Sequence, residues 1–170
     1  LTSLLLMTCC ARSYNSVIRL LVARPDLNIN YNTQRDLSPL ITACIEGNTE
    51  GVATILARDD ADINIIGKDG VTAVSLACLQ GNMDVVKFLL SCPSVNINKM
   101  TVDGVTPFTV SIFKGHSQIT SLLMERTELR LGHEVETRHG HIAGRDIDAI
   151  DPLHVAAAKG QVQIVRKLIR

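Results

Sequence analysis

A segment of this chain recurs at a fixed interval of 34 residues. The octapeptide ARPDLNIN at residues 23–30 returns as ARDDADIN at 57–64 and as SCPSVNIN at 91–98. A repeat with a period of about 20 to 50 residues is typical of an array in which each unit packs only on its neighbours. The repeat constrains the fold more than any other feature, because it assigns most of the chain to copies of one unit.

Each unit begins with a motif that predicts a short helix. A side-chain oxygen is followed by a proline or a small residue and then by an apolar residue, at Ser38-Pro39-Leu40, Thr72-Ala73-Val74, Thr106-Pro107-Phe108 and Asp151-Pro152-Leu153. The oxygen can accept an unpaired N–H at a helix start, and proline suits the first helical position. Nine residues after each motif begins stands a glycine suited to a helix end: Gly47, Gly81, Gly115 and Gly160. The N-terminal stretch Leu4-Leu5-Leu6 is a weaker first copy, with Ser13 at the glycine position.

A second helix is predicted after each glycine. In the third unit, the apolar residues with helical spacing are Val85, Val86, Phe88, Leu89 and Leu90. The Asn-Ile-Asn stretch then leads into a turn that is marked by Asp69-Gly70 and Asp103-Gly104. The pattern therefore predicts an all-α chain of helix-turn-helix units with short turns between them.

This pattern resembles the ankyrin repeat family, whose unit is about 33 residues long and carries a T-P-L-H-x-A motif. The fullest match is DPLHVAA at residues 151–157, and His154 is the only histidine at its position. Other residues fill that position in the earlier units: Met7, Ile41, Ser75 and Thr109. The resemblance implies an ankyrin-type solenoid, in which β-turn or hairpin-like loops join the helix pairs.

We expect residues 1–170 to form a single array. Its units lie at about 1–34, 35–68, 69–102, 103–136 and 148–170, with an inserted loop at about 127–147. The insertion contains His133, His139 and His141, but nothing in the sequence fixes their geometry, so we predict a solvated loop and no metal site. Neither end has the polar face of a terminal repeat, which favours an excerpt of a longer array.

Composition excludes several classes of function. The 17 basic and 17 acidic residues balance, so charge provides no case for nucleic acid, and no apolar run nears the ~20 residues that span a bilayer. Five cysteines without a C-x-x-C motif favour a reducing, intracellular and cytoplasmic location. Cys10, Cys44 and Cys78 are 34 residues apart. Equivalent residues of stacked helices lie about 8–10 Å apart, so we expect small buried residues and no shared metal ion.

No catalytic constellation is evident in the chain. It contains no nucleophile-elbow, phosphate-loop or H-E-x-x-H motif, so we expect neither an enzyme nor a cofactor nor a small-molecule substrate. The resemblance implies non-catalytic binding of another protein or peptide on a concave face. Two alternatives remain open: a regulatory or substrate-positioning segment of a larger enzyme or channel, and a structural spacer without a site of its own.

The resemblance also implies where a partner would bind. The exposed end of each first helix and the turn tips usually face the partner in such arrays, and the matching residues here are Ile45, Glu46, Ile66, Lys68, Leu79, Gln80, Met100, Val102, Phe113 and Lys114. We expect the apolar members to form the centre of a binding site and the polar members to form its rim. The alternative is that the apolar side chains pack against the turn of the adjoining unit.

The second unit has a glycine inside its second helix. Gly51 stands where the other units have Val17, Val85, Ile119 and Ile164. Glycine costs a helix about 1 kcal/mol relative to alanine. We therefore expect Gly51→Ala or Gly51→Val to raise the unfolding temperature.

Overall fold

The computed structural model describes residues 2–9, 14–33, 37–126, 129 and 151–169 of the chain. These residues form ten α-helices: α1 (Thr2–Cys9), α2 (Asn15–Val22), α3 (Pro39–Ile45), α4 (Thr49–Leu56), α5 (Ala73–Gln80), α6 (Met83–Ser91), α7 (Pro107–Lys114), α8 (Ser117–Met124), α9 (Pro152–Ala158) and α10 (Val162–Leu168). A 3₁₀ turn lies at Lys68–Gly70. Within the described ranges, the extended structure is one isolated antiparallel bridge between Ile66 and Thr72. The prediction of an all-α array is confirmed.

The helices form two layers. Each odd-numbered helix packs on the even-numbered helix that follows it, and on the odd-numbered helices before and after it. The even-numbered helices stack on one another in the same order. The core lies between the layers, with Ile41, Leu89, Phe108 and Ile112 fully buried. Each unit thus completes its core only through its neighbours, as the repeat predicts.

The predicted signals begin and end the first helices. Each predicted capping side chain accepts a hydrogen bond from a backbone N–H in the first turn: Ser38, Thr72, Thr106 and Asp151. Thr72 and Thr106 form reciprocal capping boxes with Ser75 and Thr109, whose hydroxyls accept from the capping residue's own N–H. This pairing explains why small hydroxyl residues occupy the position of the family histidine. The predicted glycines all have φ between +66° and +80°: Gly47, Gly81, Gly115 and Gly160.

The recurring Asn-Ile-Asn segment ties consecutive units together. Asn30 Oδ1 accepts from Asp62 N at 2.8 Å, and Asn30 Nδ2 donates to Asp60 O at 2.6 Å. Asn64 repeats both bonds one unit later, with Asn96 N at 2.7 Å and Ser94 O at 2.8 Å. The central isoleucines are buried: Ile29, Ile63 and Ile97. The segment recurs because its final asparagine satisfies backbone groups of the next unit.

The cysteines behave as small core residues. Cys9, Cys44 and Cys78 are fully buried and Cys92 is half-buried, whereas Cys10 lies outside the described residues. Burial raises the pKa of the Cys44 thiol strongly and raises the pKa of Cys78 to about 12. Both thiols are therefore neutral at physiological pH and lack the thiolate that metal binding or nucleophilic attack requires.

The structure contradicts the expectation for Gly51. A Cβ atom at Gly51 would lie 2.7 Å from Nδ2 and 2.9 Å from Cγ of Asn48. Asn48 is buried, and its Oδ1 accepts a hydrogen bond from Gly51 N at 2.9 Å at the start of α4. The space that a larger residue would need is filled by the side chain that caps the helix.

Candidate functional site

The predicted apolar row lies at the C-terminal ends of three stacked helices. Ile45 and Leu79 are half-buried, and Phe113 is 55% exposed. They occupy equivalent positions of α3, α5 and α7, which pack on one another in that order. Packed helices lie about 8–10 Å apart, so these side chains follow one another along the array at roughly that spacing.

The residues of the apolar row differ in how far they pack into the core. Ile45 packs against the buried core. Among the described residues, Leu79 and Phe113 do not belong to the partly buried group that packs on this core. The row is therefore part of the core at one end and a surface feature at the other.

The predicted turn residues form the neighbouring edge. Ile66 is 47% exposed and Val102 is 45% exposed, while Met100 is half-buried. Val102 N donates to Asp69 O at 2.8 Å, which joins the turns of consecutive units. In the preceding pair of units, Asn32 Nδ2 donates to Ile66 O at 3.1 Å. The backbone that carries these apolar side chains is thus ordered by bonds between units.

The predicted polar residues are all exposed: Glu46, Lys68, Gln80 and Lys114. Three of them stand at one equivalent position, so the helix ends change from an acid in unit two to an amide and then to a base in unit four. Lys159 continues the series in unit five and is also exposed. We call the surface made by this series, the apolar row and the turn residues Ile66, Lys68, Met100 and Val102 the first-helix face.

Sequence reasoning missed part of this face. Leu76 and Val110 are half-buried, pack on the buried core, and lie three residues before Leu79 and Phe113 on the same side of their helices. Lys159 Nζ lies 4.2 Å from the centroid of the Phe113 ring, in the geometry of a cation–π contact. The three-residue spacing was the available signal, because residues three apart on a helix are neighbours on its surface.

A groove lies on the opposite layer. A shallow groove of about 380 Å³ runs between α6 and α8, and its walls are Met83, Lys87, Ser117, Gln118, Ser121, Leu122 and Glu125. Lys167 Nζ donates to Ser121 Oγ at 3.1 Å on this layer. Nothing in the repeat pattern pointed to this groove.

The acidic and histidine side chains of the described residues form no metal cluster and one solvated pair. In that part of the chain, no group of three or more His, Cys, Asp or Glu residues could hold a metal ion. Asp151 Oδ2 lies 2.5 Å from His154 Nδ1, but the His154 side chain is 87% exposed, so the pair is solvated. No helix in the described ranges is both long and apolar enough to cross a membrane. The insertion with His133, His139 and His141 lies outside these ranges.

Comparison with known families agrees with the architecture. A family model described as "Ankyrin repeats (3 copies)" matches residues 5–101 and again residues 50–139. A second model, described as "Ankyrin repeat", matches residues 150–170. No curated protein sequence matches the chain. The two models together span most of the described helices.

Proposed function

This chain belongs to the ankyrin repeat family, and from that premise we propose that it is a non-catalytic module that binds another protein or a peptide through its first-helix face. Ankyrin repeats are generally protein-interaction modules and typically lack catalysis. The partner would lie across several units, on the side that the family resemblance makes concave.

One observation carries this proposal: exposed apolar side chains recur at the turn tips and first-helix ends of consecutive units. Phe113, Ile66 and Val102 each leave about half of their surface in water. Scattered exposed apolar residues are ordinary, but a contiguous group that is bordered by polar residues is typical of an interface. Leu79 extends this group towards the half-buried Ile45.

The proposed mechanism uses a rigid platform. The capping boxes and the asparagine bridges order the backbone before a partner arrives, so little entropy is lost from the array on binding. Most of the affinity would come from a few large apolar residues that lose water on contact, with Phe113 at their centre. The polar border would set orientation more than strength.

The experiment is affinity capture with residues 1–170 as bait, followed by direct binding of the purified captured protein. The test variant is Leu79→Ser/Phe113→Ser, and we expect it to weaken binding at least about tenfold while circular dichroism stays unchanged. The matched control is Leu20→Ser/Ile169→Ser, because Leu20 is 73% and Ile169 is 66% exposed outside this face.

The control distinguishes a specific binding site from non-specific adhesion of exposed apolar residues. A partner that is lost by the test variant and kept by the control supports the proposal. Equal loss by both variants would mean non-specific apolar adhesion, and no loss by the folded test variant would place the interface elsewhere. Unfolding of the test variant would assign Leu79 and Phe113 to the core. The single variant Phe113→Ser, at the more exposed of the two positions, would then test binding without the change at Leu79.

A further inference from the structure

The most exposed apolar residue of the first-helix face stands between two lysines. Phe113 is followed directly by Lys114, and Lys159 of the next unit places its ammonium group 4.2 Å from the Phe113 ring centroid. The ring and the two cations thus form one surface element at the boundary of units four and five.

Like the other lysines that the structure describes, Lys114 and Lys159 have no acidic partner within the described ranges. By contrast, three arginines of the first two units are paired, in Arg19–Glu50, Arg24–Asp26 and Arg58–Asp60. The two lysines therefore present their full charge to a ligand.

The rest of the face does not cancel this charge locally. Glu46 stands two units from Lys114, or about 20 Å away at the usual spacing of packed helices. That distance exceeds the screening length of about 8 Å in physiological salt. The turn tips carry both signs in equal number, with Lys68, Asp69, Lys99 and Asp103. The face is thus apolar in the middle and positive at its C-terminal end.

We propose that the occupant of this face is an acidic, apolar peptide segment of a partner protein, with carboxylates against Lys114 and Lys159 and an apolar side chain against Phe113. The inference rests on the proposed binding function and specifies its ligand. A peptide in the polyproline II conformation has three residues per turn and advances about 3.1 Å per residue, so side chains three residues apart lie on one side at about the spacing of the helices. The acidic residues follow at the end that overlies unit five.

A peptide fits this surface better than a nucleic acid does. Tight binding of a phosphate backbone needs several cationic contacts, because each neutralised phosphate contributes only a part of the affinity. Here two lysines border the apolar side chains of Leu79 and Phe113. Carboxylates beside apolar side chains complement both parts of this surface.

The test is selection of a displayed library of random 12-residue peptides on residues 1–170. We expect enrichment of sequences that combine Asp or Glu with Leu, Ile or Phe. Synthetic versions of these peptides should bind Lys114→Glu/Lys159→Glu about tenfold more weakly, since two exposed attractions become repulsions. Lys114→Arg/Lys159→Arg should keep binding within about twofold, because it keeps the charge.

A second charge reversal is the matched control. Lys87→Glu/Arg166→Glu makes the same change in net charge at exposed residues of the opposite layer, and it should leave peptide binding unchanged. Weakening by both reversals would show a general charge effect and would overturn the inference. A 12-nucleotide single-stranded DNA that binds better than the peptides would also overturn it.

The outcomes distinguish this inference from the proposed function. Selected peptides that lose binding in Leu79→Ser/Phe113→Ser but show no acidic enrichment would uphold the site and refute its acidic ligand. A library that yields no peptide dependent on Leu79 and Phe113 would refute both.

Discussion

Two asparagines at equivalent positions, each directly before the second helix of its unit, form different hydrogen bonds. Asn48 precedes α4, and its Oδ1 caps that helix by accepting from Gly51 N. Asn82 precedes α6 but makes no side-chain cap. Its Nδ2 instead donates to the carbonyls of Cys44 and Ile45, at 2.8 and 2.9 Å, at the end of α3 in the preceding unit. Among the described residues, Asn48 thus caps its own helix and also donates to Asn15 Oδ1 of unit one, whereas Asn82 makes no cap and bonds only to helix-end carbonyls of unit two.

The residue three positions later explains the difference. Gly51 leaves room for the Asn48 side chain over the first turn, and a Cβ there would lie within 3 Å of it. Val85 stands at the equivalent position after Asn82 and is buried, so we infer that its side chain takes the space that the Asn48 side chain uses in unit two. Unit four has Ile119 at this position and unit five has Ile164, and each uses the contact between units. His116 Nε2 lies 3.3 Å from Leu79 O, and Gln161 Nε2 donates to Ile112 O at 2.6 Å.

The comparison teaches that an equivalent position in the repeat determines the backbone location of a side chain but does not determine its hydrogen-bond partners. Asn48 turns inward to α4 and also donates to Asn15 Oδ1 at 2.9 Å. Asn82 reaches back to the end of the first-helix row, directly beside Ile45 of the proposed site. The choice between these two directions affects how firmly neighbouring units are held, and so the rigidity of the first-helix face.

Removing the side chain that directs Asn82 has the largest expected effect. Val85→Gly should lower the free energy of unfolding by about 3 kcal/mol, because a buried valine contributes about 2 kcal/mol and glycine costs a helix about 1 kcal/mol more. Urea denaturation followed by circular dichroism measures this change. Val85→Ala is the control and should lose about 1 kcal/mol less. A loss below about 1 kcal/mol for Val85→Gly would show that Val85 does not fill this space.

Deleting the contact between units should cost somewhat less. Asn82→Ala leaves two helix-end carbonyls without their donor, and we expect a loss of about 2 kcal/mol in the same assay. Asn82→Asp keeps the shape but replaces the donor by a carboxylate that faces carbonyl oxygens, so it should be at least as destabilising. Rescue of stability by Asp would contradict the assigned bonds and would favour a cap on α6.

The helices and turns of this fold could be predicted from the sequence, but the hydrogen bonds of Asn48 and Asn82 could not. The caps, the glycines and the period were readable because a local residue type has the same backbone role in every unit. The direction of the Asn48 side chain was not, since it depends on contact between Gly51 and a neighbour in three dimensions. Likewise the apolar row was predicted, whereas the extension through Leu76 and Val110 required the orientation of the helices.

The effect of Gly51→Ala on stability should have opposite signs in the wild-type chain and in the Asn48→Ala variant. Gly51→Ala should lower the free energy of unfolding by about 1 kcal/mol, because loss of the cap and displacement of a buried side chain outweigh the better helix propensity of alanine. In an Asn48→Ala background the obstruction is gone, and the same substitution should raise stability by about 1 kcal/mol. Stabilisation in both backgrounds would mean that Asn48 rearranges at no cost.

The smallest expected effect concerns the pH dependence of stability that comes from the buried thiols of Cys44 and Cys78. Burial raises the thiol pKa in the folded state, so unfolding releases protons above the unfolded pKa of about 8.5. Stability is therefore complete below that pH and falls as the pH rises towards the folded value. We expect a loss of about 0.5 kcal/mol per cysteine between pH 8 and pH 9.

Urea titrations at the two pH values measure this loss, with Cys44→Ala/Cys78→Ala as the reference. The variant should lose about 1 kcal/mol less than the wild-type chain over this interval. An identical pH dependence in both proteins would mean that the thiols ionise as easily in the folded state as in the unfolded chain.

The most direct test of the account locates the ligand on the molecule. We would titrate isotopically labelled chain with one selected peptide and record amide and methyl chemical shifts. The account predicts the largest shifts at residues 79–80 and 113–114 and at Lys159, with little change along α6 and α8. Shifts concentrated at Met83, Lys87 and Leu122, in the groove of the opposite layer, would contradict the assignment of binding to the first-helix face.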